Sequence, residues 1–467
     1  MKADTYTPST LWDNGNVDGN WDLDSGWTSG QEPDETDLVA INNGRIVTIT
    51  QPGEVADVLR LASTPTSRGT LRVLSGDLMF RLGRVGDEGI GVVNQLGGSV
   101  TSTNQLWIGA RGPGYDAAGQ GTYNLTGGSL TVLGTSNTAF RIGRAGGTGV
   151  LNHSGGILST ADQLNIAAIP AADGHPSRGS YIISGNAVLN VGSTLLNDAT
   201  GDDPGEALFE IRGSQVSISM LSYGHRPDGT LRFVADAFGV SPIHVLNAPV
   251  GVEIEDGLLD IDLTALAGTP QSLVLIDNQT ANPIKGQGGI GIGRFVNAPE
   301  GTLFGDYRLT YFYDSGDGVG NDLALLYEGL AGDFDGNSLV NADDIDLLAD
   351  AIRSGSNDLQ FDLNSDLQLS SLDLDYMIQE ILNTLLGDTN LDQAVDLVDL
   401  SILASSFGGT SGWAGGNFNT DTLVDLIDLS TLAANFGQSP AVPEPGSALV
   451  MLWLAFGTRS GYRTFSS

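Results

Sequence analysis

Hydrophobic positions between residues 70 and 215 follow a short alternating pattern that repeated glycine turns interrupt. The turns recur as NQLGGS (94–99), NLTGGS (124–129) and NHSGGI (152–157), at intervals of 30 and 28 residues. A period of this length is typical of solenoids, and strict alternation predicts strands rather than helices. We therefore predict a mainly β fold, with a right-handed β-helix (a β-solenoid) over residues 31–215.

Two details sharpen this prediction. The first asparagine of each turn motif should stack on its counterpart in the next coil, giving an amide ladder of Asn94, Asn124 and Asn152, while the Gly-Gly pair supplies the positive φ that a corner needs. A second mark runs in parallel, as LGR at 82–84, IGA at 108–110 and IGR at 142–144.

The ends of a solenoid must be covered, and both flanks have candidate covers. Residues 1–30 are predicted to form an N-terminal cap, because three tryptophans lie close together there: Trp12, Trp21 and Trp27. Residues 216–330 lose the Gly-Gly mark but keep strand alternation, so they are predicted to be a β-rich C-terminal cap. Residues 307–327 are expected to form a closing hairpin.

Composition supports this interpretation and excludes several functions. Glycine occupies 65 of 467 positions, which disfavours long helices, and the absence of cysteine excludes disulfides and thiolate metal sites. The formal net charge of −36 repels nucleic acid and anionic membrane surfaces, so neither is expected as a partner. A chain of this charge should instead attract cations.

The negative charge is concentrated in residues 332–440, which hold nineteen Asp or Glu residues and one base, Arg353. Calcium prefers six to eight oxygen ligands, and a twelve-residue loop can supply them from positions 1, 3, 5, 7, 9 and 12. Four segments fit that template, and we name them loops one to four: 333–344, 362–373, 388–399 and 417–428. Up to four Ca²⁺ ions are therefore predicted.

The predicted ligands share one pattern in all four loops, with side chains at five positions and a backbone carbonyl at position 7. The side-chain ligands are Asp333, Asp335, Asn337, Asn341 and Asp344 in loop one; Asp362, Asn364, Asp366, Ser370 and Asp373 in loop two; Asp388, Asn390, Asp392, Asp396 and Asp399 in loop three; and Asn417, Asn419, Asp421, Asp425 and Asp428 in loop four. The carbonyls belong to Leu339, Gln368, Ala394 and Leu423.

Apolar residues repeat around these loops as well. Position 8 is always apolar (Val340, Leu369, Val395 and Val424) and is expected to pair with a partner segment and face a small core. After position 12 a helix should begin, with one apolar stripe at Leu400, Leu403 and Phe407 and the same stripe at Leu429, Leu432 and Phe436. Gly408 and Gly437 follow as helix caps.

Loop plus exiting helix, in pairs and without an entering helix, resembles dockerin type I repeats. The resemblance implies two small α-helical calcium-binding modules, at residues 332–386 and 387–438, each folding on calcium and docking onto a cohesin-like domain in polysaccharide-degrading assemblies. Family docking often uses Ser-Thr at loop positions 10 and 11. Here those positions differ, as in Leu397-Val398 and Leu426-Ile427, so a calcium-stabilised spacer is the alternative to docking.

Residues 10–328 resemble the solenoid domains of autotransporter-like bacterial surface proteins, and β-helices also host polysaccharide lyases and hydrolases. No catalytic residue is identified. His153 is expected to face outward, since its counterparts are Gln95 and Leu125. His175 is assigned to an inserted loop and the Asp202-Asp203 pair to a turn. Three arginines after the second mark are expected either to pair with carboxylates or to form a basic stripe: Arg84, Arg111 and Arg144.

The C-terminal segment, residues 441–467, places Pro-Glu-Pro (443–445) before a short apolar run and then Arg459 and Arg463. This order resembles the PEP-CTERM sorting signal, which implies an exosortase-type processing enzyme and transient membrane contact through residues 447–457. The first ten residues show no apolar segment of a secretory signal.

Together these features predict an exported protein of the cell surface, outer envelope or extracellular matrix. It would be a calcium-binding structural or adhesive protein, with dockerin-like modules for assembly or display and an association with extracellular polysaccharide. The alternative is a dockerin-bearing β-helix enzyme, either a polysaccharide lyase or an O-glycosyl hydrolase.

Overall fold

The computed structural model describes residues 8–440, except for residues 14, 16, 111–118, 137–138, 169–175, 198–205, 247–250, 268–271, 287–290, 328, 338, 357–360, 365 and 367. The predicted sorting tail, Arg111, His175 and the Asp202-Asp203 pair lie outside the described residues. The chain divides into two compact units, at residues 1–328 and 329–467, which we call the β unit and the acidic unit.

The β unit contains a smaller sheet in which every pairing is parallel. Its strands, in spatial order, are β2 (Gly19–Asn20), β4 (Asn43–Ile49), β6 (Arg68–Val73), β8 (Ile90–Gln95), β10 (Gln120–Leu125), β13 (Thr148–His153), β16 (Arg178–Ile183), β18 (Glu206–Arg212), β20 (Gly229–Val234) and β23 (Leu258–Asp262). Spatial order therefore follows chain order.

The larger sheet holds the remaining strands. They are β1 (Thr10–Leu11), β3 (Leu38–Ile41), β5 (Glu54–Leu61), β7 (Asp77–Val85), β9 (Ser99–Ala110), β11 (Ser129–Val132), β12 (Phe140–Arg144), β14 (Ile157–Thr160), β15 (Leu164–Ala168), β17 (Val188–Asn197), β19 (Ser217–His225), β21 (Ile243–Val245), β22 (Gly251–Ile254), β24 (Leu273–Asn278), β25 (Leu303–Phe304), β26 (Tyr307–Tyr313) and β27 (Asp322–Tyr327). Its strands pair in parallel from β1 to β24.

The predicted dominance of β structure is confirmed, and the sheets are mostly parallel. Between successive strands of the smaller sheet the chain contributes one or two strands to the larger sheet. Alternate side chains of β8, β10 and β13 are buried. One apolar core runs through the unit. The predicted closing hairpin is confirmed too, because β26 and β27 pair antiparallel and β27 pairs antiparallel with β24.

The repeated turn motif does what its residues predict. Asn124 donates from Nδ2 to Oδ1 of Asn94 at 2.8 Å, and Asn152 donates to Asn124 at the same distance, so the amide ladder is confirmed. The second glycine of the pair has a positive φ, as at Gly128 (77°). A Cβ there would also overlap the carbonyl of Gly98 in the preceding repeat. Glycine is therefore required both for the backbone conformation and for the close contact.

The predicted tryptophan cluster is confirmed at the start of the unit. Trp12 and Trp21 each meet Trp27 edge-on, with ring centroids 5.0 Å apart, and all three side chains are buried. Trp27 donates from its indole N–H to the carbonyl oxygen of Trp21 at 2.7 Å.

The acidic unit is built from short helices that each follow one of the predicted loops. They are α1 (Ala342–Ser354), α2 (Ser371–Tyr376, continued by a π-helical turn at Met377–Ile381), α3 (Leu397–Ser406) and α4 (Leu426–Asn435). The predicted helix is therefore present in all four cases, but it begins at loop position 10 rather than after position 12, because the position-9 residue is its N-cap.

Candidate metal-binding loops

Each of the four α-helices of the acidic unit begins at a capping box formed by loop positions 9 and 12. The position-9 side chain accepts a hydrogen bond from a backbone N–H of the first helical turn, and the position-12 carboxylate accepts one from the backbone N–H of position 9. The four pairs are Asn341 with Asp344, Ser370 with Asp373, Asp396 with Asp399, and Asp425 with Asp428.

The position-12 aspartate also closes its own loop. Its other carboxylate oxygen accepts the backbone N–H of position 2, from Phe334 at 2.7 Å, Leu363 at 3.0 Å, Thr389 at 2.8 Å and Phe418 at 2.7 Å. All four aspartates are fully buried. Burial of a carboxylate is costly unless hydrogen bonds or a cation compensate for lost water, and each of these aspartates accepts at least two hydrogen bonds.

Loop one brings three carboxylates together. Each of Asp333, Asp335 and Asp344 offers a ligand oxygen, and these oxygens all lie within 4.8 Å of one another. Ligand oxygens ~2.3–2.6 Å from one calcium ion are at most ~5 Å apart, so the spacing fits one shared hard cation. Asn337 donates to Asp335 at 2.7 Å, and the side chain of Leu339 is exposed, which leaves its carbonyl as the position-7 group.

Loop two repeats the arrangement with fewer contacts among its described residues. Asp362 and Asn364 both accept the backbone N–H of Asp366, at 3.1 and 2.9 Å. Asp366 in turn accepts the N–H of Gln368 at 2.8 Å. Positions 1, 3 and 5 are therefore tied to one another around the turn.

Loop three has the most buried carboxylate at position 1. Asp388 is fully buried, and its burial raises its pKa, with Asp399 adding to the rise and the Thr384 hydroxyl opposing it. Thr389 donates to Asp399 from both its backbone N–H and its hydroxyl, each at 2.8 Å. Asn390 donates to Asp392 at 2.9 Å, and Ala394 occupies position 7. A nearby cation would relieve the repulsion between these two buried carboxylates.

Loop four departs from the others at position 1. In loops one to three the position-1 aspartate accepts the backbone N–H of position 5, at 3.1–3.2 Å. Asn417 instead donates from Nδ2 to the carbonyl oxygen of Asp421 at 2.8 Å. The rest of the loop is conventional: Asn419 donates to Asp421 at 2.9 Å, and Asp421 accepts the N–H of Leu423 at 2.7 Å.

The loops share a backbone feature that the sequence reasoning missed. Position 4 adopts a left-handed conformation in loops one, three and four, with φ of 73° at Gly336, 58° at Leu391 and 66° at Thr420. Gln393, at position 6 of loop three, is also left-handed at 71°. Non-glycine residues rarely adopt this conformation, and only Gly336 signals it in the sequence.

The predicted pairing of position 8 is confirmed in loops three and four, where it is reciprocal. Val395 donates its N–H to Gln438 and accepts that of Gly437, while Val424 exchanges the same bonds with Gly408 and Gly409. Both valines are fully buried, whereas Val340 and Leu369 pack at the edge of the core. Each loop is therefore joined to the segment that follows the other loop's helix.

The predicted apolar stripes are correct at Leu403 and Leu432, which are buried, but wrong at their ends. Phe407 and Phe436 are 47% and 44% exposed. Helices α3 and α4 end one residue earlier, and each phenylalanine has an extended backbone with ψ of 129°. Its side chain therefore leaves the helical stripe.

The two predicted modules contribute to a single hydrophobic core, which runs from Phe334 to Leu432. Asp346 of α1 accepts the backbone N–H of Trp413 at 2.7 Å, and the Trp413 indole donates to the carbonyl oxygen of Asp388 at 2.8 Å. Neither Asp346 nor Trp413 was singled out by the loop pattern, because their contact depends on tertiary packing.

In the β unit, the expectation that His153 faces outward is wrong. His153 is buried; its Nε2 donates to the carbonyl oxygen of Gly156 at 3.2 Å and its Nδ1 accepts from the Tyr181 hydroxyl at 2.9 Å. Its counterpart Gln95 donates to Gly98 and accepts from Tyr123. The hydrogen bond to Tyr181 joins His153 to the next repeat, as the bond between Gln95 and Tyr123 does, so its role is structural.

The two described arginines of the expected basic stripe stack on a tryptophan ring. The guanidinium carbons of Arg84 and Arg144 lie 3.4 and 3.9 Å from the ring centroid of Trp107. Stacking of this kind stabilises both partners. The two arginines thus pack on a tryptophan of a neighbouring strand. Burial lowers the pKa of Arg144 and the charge of Asp87 opposes that change, so a carboxylate contributes to its surroundings.

Comparison of the chain with protein-family models, with curated proteins and with solved structures finds no match. No helix among the described residues is long and apolar enough to cross a membrane.

Proposed function

We propose that this is a calcium-binding structural or adhesive protein of the cell surface or extracellular matrix. One observation carries the proposal: four loops in the same register each close on a fully buried aspartate, and in loop one two further carboxylates converge on it within 4.8 Å. Acidic turns without a cation do not need this concentration of buried negative charge.

Calcium suits the donor set better than other common metals. The loops offer carboxylate, amide and hydroxyl oxygens with backbone carbonyls, and the chain has no cysteine. Hard cations take such oxygens, whereas zinc and copper sites generally use imidazole or thiolate. Calcium would supply the positive charge that residues 332–440 otherwise obtain from Arg353 alone.

The β unit is proposed to be a right-handed β-helix that acts as a stem or adhesive surface. Each strand of the smaller sheet pairs in parallel with the next strand of that sheet, although one or two strands of the larger sheet lie between them in the chain, and this supports the proposal. The dockerin-like unit would attach to a cohesin-like domain or serve as a spacer. Export and exosortase processing are proposed from the tail sequence alone, and extracellular polysaccharide is the proposed ligand.

Calcium binding to the purified full chain, counted by equilibrium dialysis, tests the central claim. At least two ions should bind per chain. Asp333→Ala with Asp388→Ala should remove the ions of loops one and three, because position 1 supplies a ligand in each. Asp228→Ala, an exposed acid of the β unit, is the control and should change nothing. A wild-type chain that binds no calcium would refute the proposal.

One observation favours the enzymatic alternative. Burial, followed by a hydrogen bond with Glu32 and the charges of Glu32 and Asp22, raises the pKa of Glu54, as expected of a general acid beside a second carboxylate. Glu54 is 3% exposed, which places its carboxyl out of reach of a polymer, so the structural role is preferred. Polysaccharide cleavage by the wild type that Glu54→Gln abolishes would reverse this preference.

A further inference from the structure

Loop four stands apart from the other three loops in the charge at its first position. Position 1 is Asn417, whereas loops one to three have aspartate. Its Oδ1 is buried and has no hydrogen-bond partner among the described residues. The loop therefore keeps an oxygen for a cation at this position but has lost the negative charge that would hold one tightly.

The one base of residues 332–440 contacts this same loop. Arg353, near the end of α1, donates from Nη1 to the carbonyl oxygens of Thr420 and Asp421, at 3.2 and 3.1 Å. Asp350, one turn earlier on the helix, forms an ion pair with its other nitrogen, Nη2. The guanidinium is thus positioned from both sides.

Two N–H donors therefore bond to the same backbone carbonyl oxygen, that of position 5 in loop four. The carbonyl oxygen of Asp421 accepts from Arg353 and also from Nδ2 of Asn417 at 2.8 Å. In the other loops, the position-1 side chain meets position 5 as an acceptor of its N–H. Hydrogen bonds from Arg353 and Asn417 therefore hold the backbone of loop four, whereas the other loops have a carboxylate oxygen at position 1.

We propose that Arg353 and Asn417 make loop four the weak calcium site, which fills only after loops one to three. The inference rests on the proposed calcium-binding function. Arg353 lies against two carbonyl oxygens of the loop, where its charge, reduced by the ion pair with Asp350, opposes a divalent ion. A neutral ligand at position 1 also removes an attraction. Together, effects at such distances correspond to at least about ten-fold in affinity.

Calcium binding to the full chain over a wide range of free calcium tests the proposal. The wild type should bind three ions in a first phase and a fourth at a free calcium concentration at least about ten-fold higher. Arg353→Met combined with Asn417→Asp should give four ions in the first phase. Arg68→Met, which removes an exposed base from the β unit, is the matched control and should keep the three-plus-one pattern.

The outcomes separate the two proposals. Four equivalent ions in the wild type, or a double variant that keeps the three-plus-one pattern, would overturn the inference and leave calcium binding intact. A chain without any bound calcium would overturn the proposed function itself. Should the double variant fold poorly by circular dichroism, Asn417→Asp alone decides, since it keeps Arg353 in place. It should tighten the fourth ion by about ten-fold, and an unchanged fourth ion would contradict the inference.

Discussion

The two units of the chain both consist of repeats, but they stabilise those repeats in opposite ways. In the β unit, neighbouring repeats are joined through parallel strands and through side chains such as the ladder of Asn94, Asn124 and Asn152. In the acidic unit, each loop closes on itself through its own buried aspartate, such as Asp344.

This difference determines what each unit needs from its surroundings. The β unit buries a continuous apolar core, and polar side chains such as Asn124 bond to the neighbouring repeat. The acidic unit has a smaller core beneath four loops whose carboxylates repel one another. Repeats joined to their neighbours can be stable alone, whereas we expect small acidic modules to depend on a cation for part of their folding free energy.

The largest expected effect follows directly from this contrast. Adding a chelator to the full chain should remove amide protection throughout residues 329–440 and leave the strands of the β unit protected. Hydrogen exchange followed by mass spectrometry measures both units in one sample. Loops that stay protected in chelator would show that the hydrogen bonds of the position-12 aspartates suffice without a metal.

The second prediction concerns the buried aspartate itself. Asp399 accepts hydrogen bonds from the backbone N–H of Asp396 and from both donors of Thr389. Asp399→Ala leaves the two buried donors of Thr389 and the part-buried N–H of Asp396 unpaired, at ~1–3 kcal/mol each, so the acidic unit should lose about 4 kcal/mol or more in calcium. Urea unfolding followed by helical circular dichroism measures the loss.

The matched control for that variant is Glu380→Ala, which removes an exposed acid of the same unit. It should change the free energy of unfolding by less than about 0.5 kcal/mol. Equal losses in the two variants would mean that the position-12 aspartate contributes only its charge.

Features that follow from the spacing of repeated motifs were predicted better than features that depend on the direction of a side chain. The asparagine ladder followed from spacing alone. The burial of His153 was missed, although in a strand the residue after an outward Asn152 must face inward. The exposure of Phe407 was missed because it depends on where α3 ends, and the contact between Arg353 and loop four joins elements 67 residues apart.

The third prediction uses that buried histidine. Burial lowers the pKa of His153 to about 4, from 6.5, so below pH 6.5 the unfolded chain binds a proton that the folded β unit does not. Stability should therefore fall as the pH decreases from 6.5 towards 4, by about 3 kcal/mol for this group. Buried His225, with a pKa lowered to about 3, adds a similar loss.

His153→Gln provides the test, because Gln95 fills the equivalent place in an earlier coil with the same two kinds of hydrogen bond. The variant should fold at neutral pH and lose roughly half as much stability on acidification, since His225 remains. Urea unfolding of the β unit at pH 7 and pH 4.5 measures this. An unchanged pH dependence would place the titration elsewhere.

The smallest expected effect isolates the stacking of coils from the conformational preference of glycine. Gly128 and Gly305 both have positive φ, at 77° and 62°, but a Cβ on Gly305 meets open space whereas one on Gly128 overlaps the carbonyl of Gly98. Gly305→Ala should cost about 1 kcal/mol for the left-handed backbone. Gly128→Ala should cost about 2 kcal/mol more, because the preceding repeat must move.

Both variants share the unfolded-state effect of losing a glycine, so the difference between their urea midpoints reports the contact between repeats. Equal costs would mean that the coils separate easily at this corner, and that the β unit is held together mainly by its core.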